Sequence, residues 1–455
     1  MSQTAGTAPQ QGRFAQWLDN QGIAKPLRWG FIGLILFMVG DGIEQSFMSP
    51  YLVERGFSVG EVATLFSAYG IVVAVGAWLA GALAEAWGPR RVMLIGAALW
   101  LVLQVVYLGL GVMQDNLTVM IASYAIRAIG YPFFAYGFLV WVTMDSPAAK
   151  MGKAVGWYWF ANAMGLGVIS SYLGAIVIPL IGELATLWLT LAFVAAGGLV
   201  IATLVKTRSG AQPVTARDTI QGLTKSVTII KDQPKVGIGG VVRLINTISF
   251  YSFAVFLSVH MINEIGFTVS QWATIWGTML AANVAANLVA GYASDWFGRI
   301  NTIAWGGGVL TAVSIVALYY VPEAIGPNFP VVMGIGIVYG VGLAMYVPLS
   351  AVVPLLAPHN KAAAVAVLNL GAGLSNFGGP VLAGLVGPLG IAPVVWIIVG
   401  LYLVGTVLTF MLRAPGIEAD DADIAELAAA DEITLEQAEA RADGQPRTGT
   451  AGAAL

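Results

Sequence analysis

The strongest constraint on this chain is a series of twelve apolar stretches, each long enough to cross a lipid bilayer as a helix. A bilayer-spanning helix needs about 20 mostly apolar residues. Over the whole sequence 58% of residues are hydrophobic and 10% are charged, whereas soluble domains carry roughly 25% charged residues. We therefore predict an all-α membrane protein with twelve transmembrane helices. The predicted spans are residues 29–51, 61–86, 91–113, 117–143, 152–179, 184–205, 236–262, 270–294, 301–321, 329–356, 361–388 and 391–412.

The distribution of lysine and arginine predicts the orientation of these helices. With the N-terminus placed in the cytoplasm, 18 of the 21 basic residues lie inside, Arg55 lies outside, and Arg127 and Arg243 fall within membrane segments. Cytoplasmic loops carry an excess of basic residues, so this pattern indicates that both termini are cytoplasmic. We expect a multi-pass protein of the inner, cytoplasmic membrane. The tail from residue 418 holds ten acids and two bases, and this charge balance does not indicate a nucleic-acid partner.

A long polar stretch at residues 206–235 divides the chain into two sets of six predicted helices. We predict two six-helix bundles related by pseudo-symmetry. The predicted units are a cytoplasmic N-terminal segment at 1–28, an N-terminal bundle at 29–205, a cytoplasmic linker at 206–235, a C-terminal bundle at 236–412 and an acidic cytoplasmic tail at 413–455.

An internal repeat supports this division. A loop motif of small residues, an acid, a glycine and arginine follows the second predicted helix and returns after the eighth, 210 residues later. A second echo is Tyr131-Pro132 in the fourth helix and Tyr346 with Pro348 in the tenth. Two parallel copies of one six-helix unit explain both spacings.

These loops resemble the signature of the major facilitator superfamily, which lies between the second and third helices of its members. Glu85 stands where the family has Asp, whereas the second copy keeps Asp295. The resemblance implies a secondary transporter with alternating access, in which the loops latch one conformer. Such an acid can accept hydrogen bonds from a helix N-terminus and pair with an arginine. The predicted latch residues are Gly81, Glu85, Gly88, Arg90, Arg91, Asp295, Gly298 and Arg299.

Further segments resemble the bacterial polyol permeases, which carry ribitol and D-arabinitol. They are GDGIE at 40–44, IRAIGYP at 126–132, IGE at 181–183 with TLW at 186–188, RLINT at 243–247 and NLGAGLSNF at 369–377. The resemblance implies uptake of a small polyol. It leaves the solute open, because related proteins of this group carry other solutes, including 2-oxoglutarate.

Three ionisable residues are predicted to lie within the membrane and to couple transport to protons. Asp41 lies roughly 18 Å from the cytoplasmic end of the first helix, and Arg127 lies roughly 15 Å from the outer end of the fourth. Both positions are near the midplane, so we predict an Asp41–Arg127 pair, with Glu44 on the same helix face as Asp41. A carboxylate that loses and regains its arginine changes its proton affinity between conformers. The alternatives are a static structural ion pair, and a Glu44 that contacts only the outer water.

A polyol site needs groups that bond hydroxyls, so amides and aromatic edges within the membrane are the candidates. Buried amides also bond helix to helix, which is the alternative role. Arg243 can either face the cavity or extend its side chain to the membrane surface. The predicted substrate-binding residues are Gln45, Tyr131, Trp157, Arg243, Asn246, Asn283, Asn369 and Asn376.

The leading prediction is a monomeric, proton-coupled polyol importer whose partners are the solute, H⁺ and membrane lipid. The same fold carrying a small carboxylate on Arg127 or Arg243 is an alternative, as is a transporter-like sensor that signals through its tail. An enzyme is not expected, because the chain has no cysteine and its two histidines, His260 and His359, are predicted at opposite membrane faces. We predict no cofactor and no metal centre.

Overall fold

The structure, a computed structural model, describes residues 17–18, 20–23, 25–147, 150–205, 229–357 and 360–413. In these ranges eleven helices are long and apolar enough to cross a membrane, and a bent pair makes up to twelve spans. Residues 206–228 of the predicted linker (206–235) and residues 414–455 of the predicted tail (413–455) lie outside the described residues. The spans are α1 (Arg28–Ser46 with Met48–Glu54), α2 (Val59–Trp87), α3 (Pro89–Gln114), α4 (Leu117–Asp145), α5 (Lys153–Ile181), α6 (Glu183–Thr203), α7 (Pro234–Glu264), α8 (Val269–Phe297), α9 (Arg299–Ile325), α10 (Phe329–Leu355), α11 (Ala363–Leu389) and α12 (Ile391–Phe410).

The starts of equivalent helices are capped in the same way in the two halves. Ser58 and Thr268 precede α2 and α8, and each forms a capping box with the third residue of its helix. Asn116 and Asn328 cap α4 and α10 through their side-chain oxygens. Each cap satisfies a backbone amide that the first helical turn leaves without a partner. The repeat therefore extends from sequence to the local rules that start each helix.

The Tyr-Pro echo of the sequence coincides with breaks in α4 and α10. The α4 helix is interrupted after Arg127, and α10 is interrupted after Ala344. Pro132 follows the break in α4 within a few residues, and Pro348 is the last residue of the break in α10. Proline has no amide hydrogen to donate to the preceding turn, so it interrupts the helical ladder. The break in α4 comes directly after the buried Arg127, so the backbone at this point does not follow regular helical geometry.

The two halves pack through α2 against α11 and α5 against α8. At the first of these contacts a methyl group added to Gly70 would lie 2.2 Å from the backbone oxygen of Asn376. Only glycine permits this approach, because any Cβ would overlap that carbonyl. The α2–α11 contact therefore sets the distance between the halves near the centre of the molecule.

The halves are also joined at one end of the bundle. We call the end at which α1 and the other odd-numbered helices begin the proximal end, and the opposite end the distal end. On the distal side the Ser49 hydroxyl donates to the carbonyl of Val255 at 2.5 Å. The Ser270 hydroxyl donates to the carbonyl of Ala175 at 2.6 Å. In this conformer the central cavity is thus covered on its distal side by direct contacts between the halves.

Candidate functional site

A central cavity of about 40 Å³ lies between the two halves. Solute pockets generally measure about 300–1,000 Å³, so this cavity must widen before it takes up a solute. Five of the predicted site residues line it, namely Asp41, Glu44, Gln45, Tyr131 and Asn376. The other lining residues are Phe66, Tyr69, Tyr124, Leu166, Phe250, Tyr251, Ala254 and Pro380.

The buried salt bridge at this cavity joins Arg127 to Glu44. One guanidinium nitrogen of Arg127 donates to Glu44 Oε2 at 3.1 Å, and the other contacts Oε1. The Tyr124 hydroxyl donates to the same carboxylate at 2.9 Å. The predicted direct partner of Arg127 was Asp41, so the structure corrects that pairing. The alternative in which Glu44 contacts only the outer water is wrong, because its side chain is 2% exposed.

Arg127 is also enclosed by side chains of the N-terminal half. It donates to the amide oxygen of Gln104, whose nitrogen donates to Thr190 at 3.2 Å. Its guanidinium carbon lies 4.7 Å from the centre of the Trp100 ring and 4.4 Å from that of Tyr124. Aromatic faces stabilise a desolvated cation. These contacts, added to the ion pair, hold Arg127 in one position.

Asp41 has a different environment from Glu44. The indole nitrogen of Trp100 donates to Asp41 Oδ1 at 2.6 Å. In the part of the chain that the structure describes, Asp41 forms no salt bridge. Trp100 therefore contacts both the Asp41 carboxyl and the Arg127 guanidinium. The site therefore holds one carboxylate neutralised by an arginine and a second carboxyl that faces the cavity without one.

Glycines explain how α1 places these acids at the centre. A Cβ on Gly40 would lie 2.9 Å from the Thr190 carbonyl oxygen, and one on Gly42 would lie 2.0 Å from that of Leu166. Alanine at either position would push α1 away from α6 or α5. After Gly42 the helix tightens into a 3₁₀ turn at Ile43–Ser46 and then bends by 43°. The close packing and the bend together bury Asp41 and Glu44 instead of exposing them to lipid.

Arg243 lies between the halves, on the α7 side of the cavity. Its side chain is half-buried and lies near the tyrosines Tyr136 of α4 and Tyr251 of α7. Tyr251 lines the cavity, and the ring of Tyr136 lies 5.9 Å from that of Tyr131, which lines it as well. Among the described residues no acidic side chain forms a salt bridge with Arg243. Arg243 therefore lies near tyrosines of both halves, without the ion-pair partner that Arg127 has among the described residues.

The remaining predicted binding residues are not among those that line the cavity. The Asn283 amide donates to a carbonyl of α10 at 3.2 Å, and this is the helix-bonding role. Asn246 is buried and its side-chain oxygen has no hydrogen-bond partner. Asn369 is exposed. Trp157 donates to an amide of the N-terminal segment at 3.3 Å.

Comparison with known proteins identifies the family. The model of the Major Facilitator Superfamily matches residues 30–237 and 239–440. The chain belongs to this superfamily. It is therefore a multi-pass membrane transporter and not an enzyme, and the expected facilitator fold is confirmed.

Several curated proteins are similar to this facilitator. The alpha-ketoglutarate permease of Bacillus subtilis is 43% identical over 398 residues, which cover 87% of this chain and 91% of the permease. The ribitol transporter of Klebsiella pneumoniae is 34% identical over 371 residues, which cover 81% of this chain and 86% of that one. The D-arabinitol transporter of the same organism is 35% identical, with 81% and 87% covered.

Solved structures share the fold at low sequence identity. A D-xylose–proton symporter superposes with a TM-score of 0.65 at 16% identity, covering 85% of this facilitator and 97% of the symporter. A nucleoside transporter gives a TM-score of 0.68 at 15% identity, covering 86% and 100%.

The predicted latch loops of this facilitator have the same backbone form in both halves. Gly88 and Gly298 adopt φ values of +88° and +78°, which favour glycine. Arg90 donates to the carbonyls of Ile201 at 3.3 Å and of Ala202, at the end of α6. An arginine there satisfies carbonyls that the last helical turn leaves open. The side chains at positions 85 and 295 lie outside the described part, so the latch stays a prediction.

Sequence reasoning missed the aromatic residues around Arg127. Tyr124 precedes Arg127 by three residues, so the two share a helix face. Trp100 and Gln104 are four apart on α3 and face the same cluster. A buried arginine needs donor and acceptor partners within reach, and this spacing was the available signal. Tyr251 and Phe250 of α7 had no comparable signal.

Proposed function

We propose that this facilitator imports a small carboxylate together with a proton, by alternating access. The observation that carries the proposal is the difference between its two membrane arginines. Arg127 is neutralised by Glu44, whereas Arg243 lies between the halves without an acidic partner among the residues described. An arginine binds a carboxylate through two parallel hydrogen bonds, which gives both attraction and orientation.

Charge balance at the site supports a solute that carries a negative charge. With Asp41 ionised, its charge and that of Glu44 balance those of Arg127 and Arg243. Protonation of Asp41 leaves one uncompensated positive charge. A carboxylate on Arg243 removes it, whereas a neutral polyol leaves it in a poorly solvated cavity, where an unpaired charge is costly.

In the proposed cycle Asp41 takes up the proton. Glu44 is unsuited to that role in this conformer, because its carboxylate oxygens already accept hydrogen bonds from Arg127 and Tyr124. The indole of Trp100 can donate to the carbonyl oxygen of a protonated Asp41 as well as to a carboxylate. Proton uptake therefore changes the charge of the cavity without dismantling the cluster around Arg127.

The relatives support both candidate solutes. The permease that is 43% identical is named for alpha-ketoglutarate, an anion, and this agrees in sign with the charge argument. One of its two carboxylates would balance the charge of Arg243, and the second exceeds that balance. Ribitol or D-arabinitol, which the sequence favoured, is the second candidate. Gln45, Tyr131 and Asn376 line the cavity with amide and hydroxyl groups, and two relatives are named for these polyols.

We propose that the proximal end faces the cytoplasm and that the protein acts as a monomer in the inner membrane. Arg90, Arg91, Lys235 and Arg299 lie at the proximal end. This placement agrees with the excess of basic residues on the cytoplasmic side of membrane proteins.

Uptake into proteoliposomes with an imposed pH gradient tests the proposal. We expect the wild type to accumulate labelled 2-oxoglutarate and not labelled ribitol. Arg243→Gln should abolish that uptake, while Arg55→Gln, which removes an exposed pair with Asp115, should leave it unchanged. Accumulation of ribitol that Arg243→Gln does not affect would establish the polyol function instead.

Ligand protection provides an independent measurement. A ligand that binds only the folded protein stabilises it by about 2.7 kcal/mol at a hundredfold excess over Kd. 2-Oxoglutarate should raise the unfolding temperature of the wild type and not that of Arg243→Gln. Protection by ribitol alone would contradict the proposal.

A further inference from the structure

A second cluster of ionisable side chains lies at the distal end of the C-terminal half. His260 of α7 is completely buried, and its Nδ1 lies 2.8 Å from Glu264 Oε2. Its Nε2 lies 3.2 Å from Oε1 of Glu323, on α9. The ring of Tyr319 packs against the imidazole with 5.1 Å between centres. The cluster connects two helices and lies outside the central cavity.

We propose that His260, Glu264 and Glu323 bind a divalent transition-metal ion, with Zn²⁺ as the best fit. One ligand atom from each residue can be chosen so that all three lie within 4.8 Å of one another. Zinc bonds histidine nitrogen and carboxylate oxygen at about 2.0–2.2 Å, so two ligands of one ion lie at most about 4 Å apart. Closing the cluster therefore needs side-chain movements below about 1 Å.

The imidazole itself indicates that a ligand belongs here. The Nε2 atom of His260 is buried and has no hydrogen-bond partner of acceptable geometry. A buried polar atom without a partner is costly, and a metal ion would satisfy it.

Access and charge fit an ion that arrives from water. The side chains of Glu264 and Glu323 are 57% and 44% exposed, whereas His260 is buried. An ion would therefore meet the two carboxylates first and the imidazole last. Two carboxylates and a neutral imidazole carry a charge of −2, which balances a divalent cation. Three protein ligands leave one tetrahedral position for water.

The donor set distinguishes between metals. An imidazole favours Zn²⁺, Cu²⁺, Ni²⁺ and related ions over Mg²⁺, Ca²⁺ and Mn²⁺, which prefer oxygen ligands. The local helix geometry supports the pairing, because His260 and Glu264 begin and end a π-helical turn. Such turns occur frequently at functional sites. Since α7 and α9 both belong to the C-terminal half, the ion would not bridge the two halves. We therefore test the site by measuring Zn²⁺ binding and not by measuring transport.

Calorimetric titration of the full-length protein with Zn²⁺, after removal of any affinity tag, tests this site. We expect one Zn²⁺ per chain, and no binding of Mg²⁺ at the same concentration. Glu323→Gln and Glu264→Gln each remove a proposed ligand, so each should weaken Zn²⁺ binding by at least about 10-fold, the smallest loss typical of residues that only orient a ligand. His359→Gln, which changes the other histidine of the sequence, is the matched control and should not alter the affinity.

His260→Gln should abolish Zn²⁺ binding. If this substitution of a buried residue impairs folding, the variants of the two exposed glutamates still test the proposal. X-ray absorption at the zinc edge should then show one imidazole among oxygen ligands. Zn²⁺ affinity that is unchanged in the Glu264→Gln/Glu323→Gln double variant would overturn the proposal, as would a wild type that binds no Zn²⁺. Neither outcome bears on carboxylate transport, which uses other residues.

Discussion

The N-terminal half has a buried ion pair at its centre, whereas neutral hydroxyls connect the equivalent helices of the C-terminal half. In α1 and α4 the partners are Glu44 and Arg127. In α7, α10 and α12 the Ser249 hydroxyl bonds those of Tyr339 at 2.8 Å and Tyr402 at 2.6 Å. Tyr402 also donates to a backbone carbonyl of α7 at 2.6 Å. One helical framework is thus fixed by two different chemistries.

The energetic consequences of these clusters differ. A buried ion pair contributes little net stability, because desolvation of both charges offsets their attraction, yet removal of one partner costs about 3–5 kcal/mol. A neutral hydrogen bond contributes about 0.5–1.5 kcal/mol and costs a similar amount to remove. Stability alone therefore favours the hydroxyl solution. The charged cluster in the N-terminal half, next to Asp41, agrees with our proposal that this half handles the proton.

The largest effect is expected from Arg127→Ala. The substitution leaves Glu44 buried without a counter-charge, so we expect a loss of about 3–5 kcal/mol in the free energy of unfolding and no transport. Chemical denaturation in detergent, followed by tryptophan fluorescence, measures the first effect. Adding Glu44→Gln should restore much of the stability, because the unpaired charge is then gone. A loss below about 1 kcal/mol would place this pair with surface salt bridges.

Asp41→Asn should separate coupling from stability. The amide keeps an oxygen for the Trp100 indole and mimics a carboxyl that is always protonated. We expect the protein to remain folded, to exchange solute across the membrane, and to lose accumulation driven by a pH gradient. Proteoliposome uptake and counterflow measure the two activities separately.

Gradient-driven accumulation that survives Asp41→Asn would show that Asp41 is not the coupling residue. Glu44 would then be the next candidate, and the Glu44–Arg127 pair would have to open during the cycle. In that case the contrast between the halves would lie in the ion pair itself and not in the carboxyl beside it.

The repeated loops allow the same comparison at the proximal surface. If Asp295 latches one access state through charged hydrogen bonds, Asp295→Asn should reduce turnover roughly tenfold, since such bonds contribute about 1.5–3 kcal/mol. Solute affinity should change much less. Glu85→Gln is the matched variant in the other half. Normal turnover in both variants would show that these acids do not latch the protein.

The smallest effect is expected from Tyr402→Phe in the hydroxyl cluster. The substitution removes the bonds from one hydroxyl and keeps the ring, so the cost should be about 1 kcal/mol. Ser249 retains its bond to Tyr339. Accumulation should be unchanged, as measured by the same uptake assay. Loss of proton coupling in this variant would remove the functional distinction between the two halves.

Much of the fold was predictable because its causes are local. The membrane excludes unsatisfied backbone groups, so each long apolar stretch must form a helix. Pro132 and Pro348 mark the interruptions of α4 and α10 for the same reason, since the missing amide hydrogen acts within one turn. The cavity residues Gln45, Tyr131 and Asn376 were accessible to sequence reasoning because they are polar within apolar helices.

The partner of Arg127 was not predictable in this way. Asp41 and Glu44 are three residues apart and share a face, so depth within the membrane does not distinguish them. Side chains of other helices distinguish the two acids in the structure. The Trp100 indole of α3 donates a hydrogen bond to Asp41, whereas the Tyr124 hydroxyl of α4 donates one to Glu44. Hydrogen bonds act over about 3 Å, and no sequence spacing resolves positions that closely.

The sequence by itself determined the twelve membrane spans, the repeated halves and the presence of charges inside the membrane, because hydropathy and charge need no tertiary contacts to be recognised. Only the tertiary structure decided which of those charges are neutralised. It paired Glu44 with Arg127, placed Arg243 near Tyr136 of the other half, and brought Glu323 of α9 to His260 of α7. Each of these arrangements joins residues on different helices, and their separation depends on how the helices pack and not on their order in the chain.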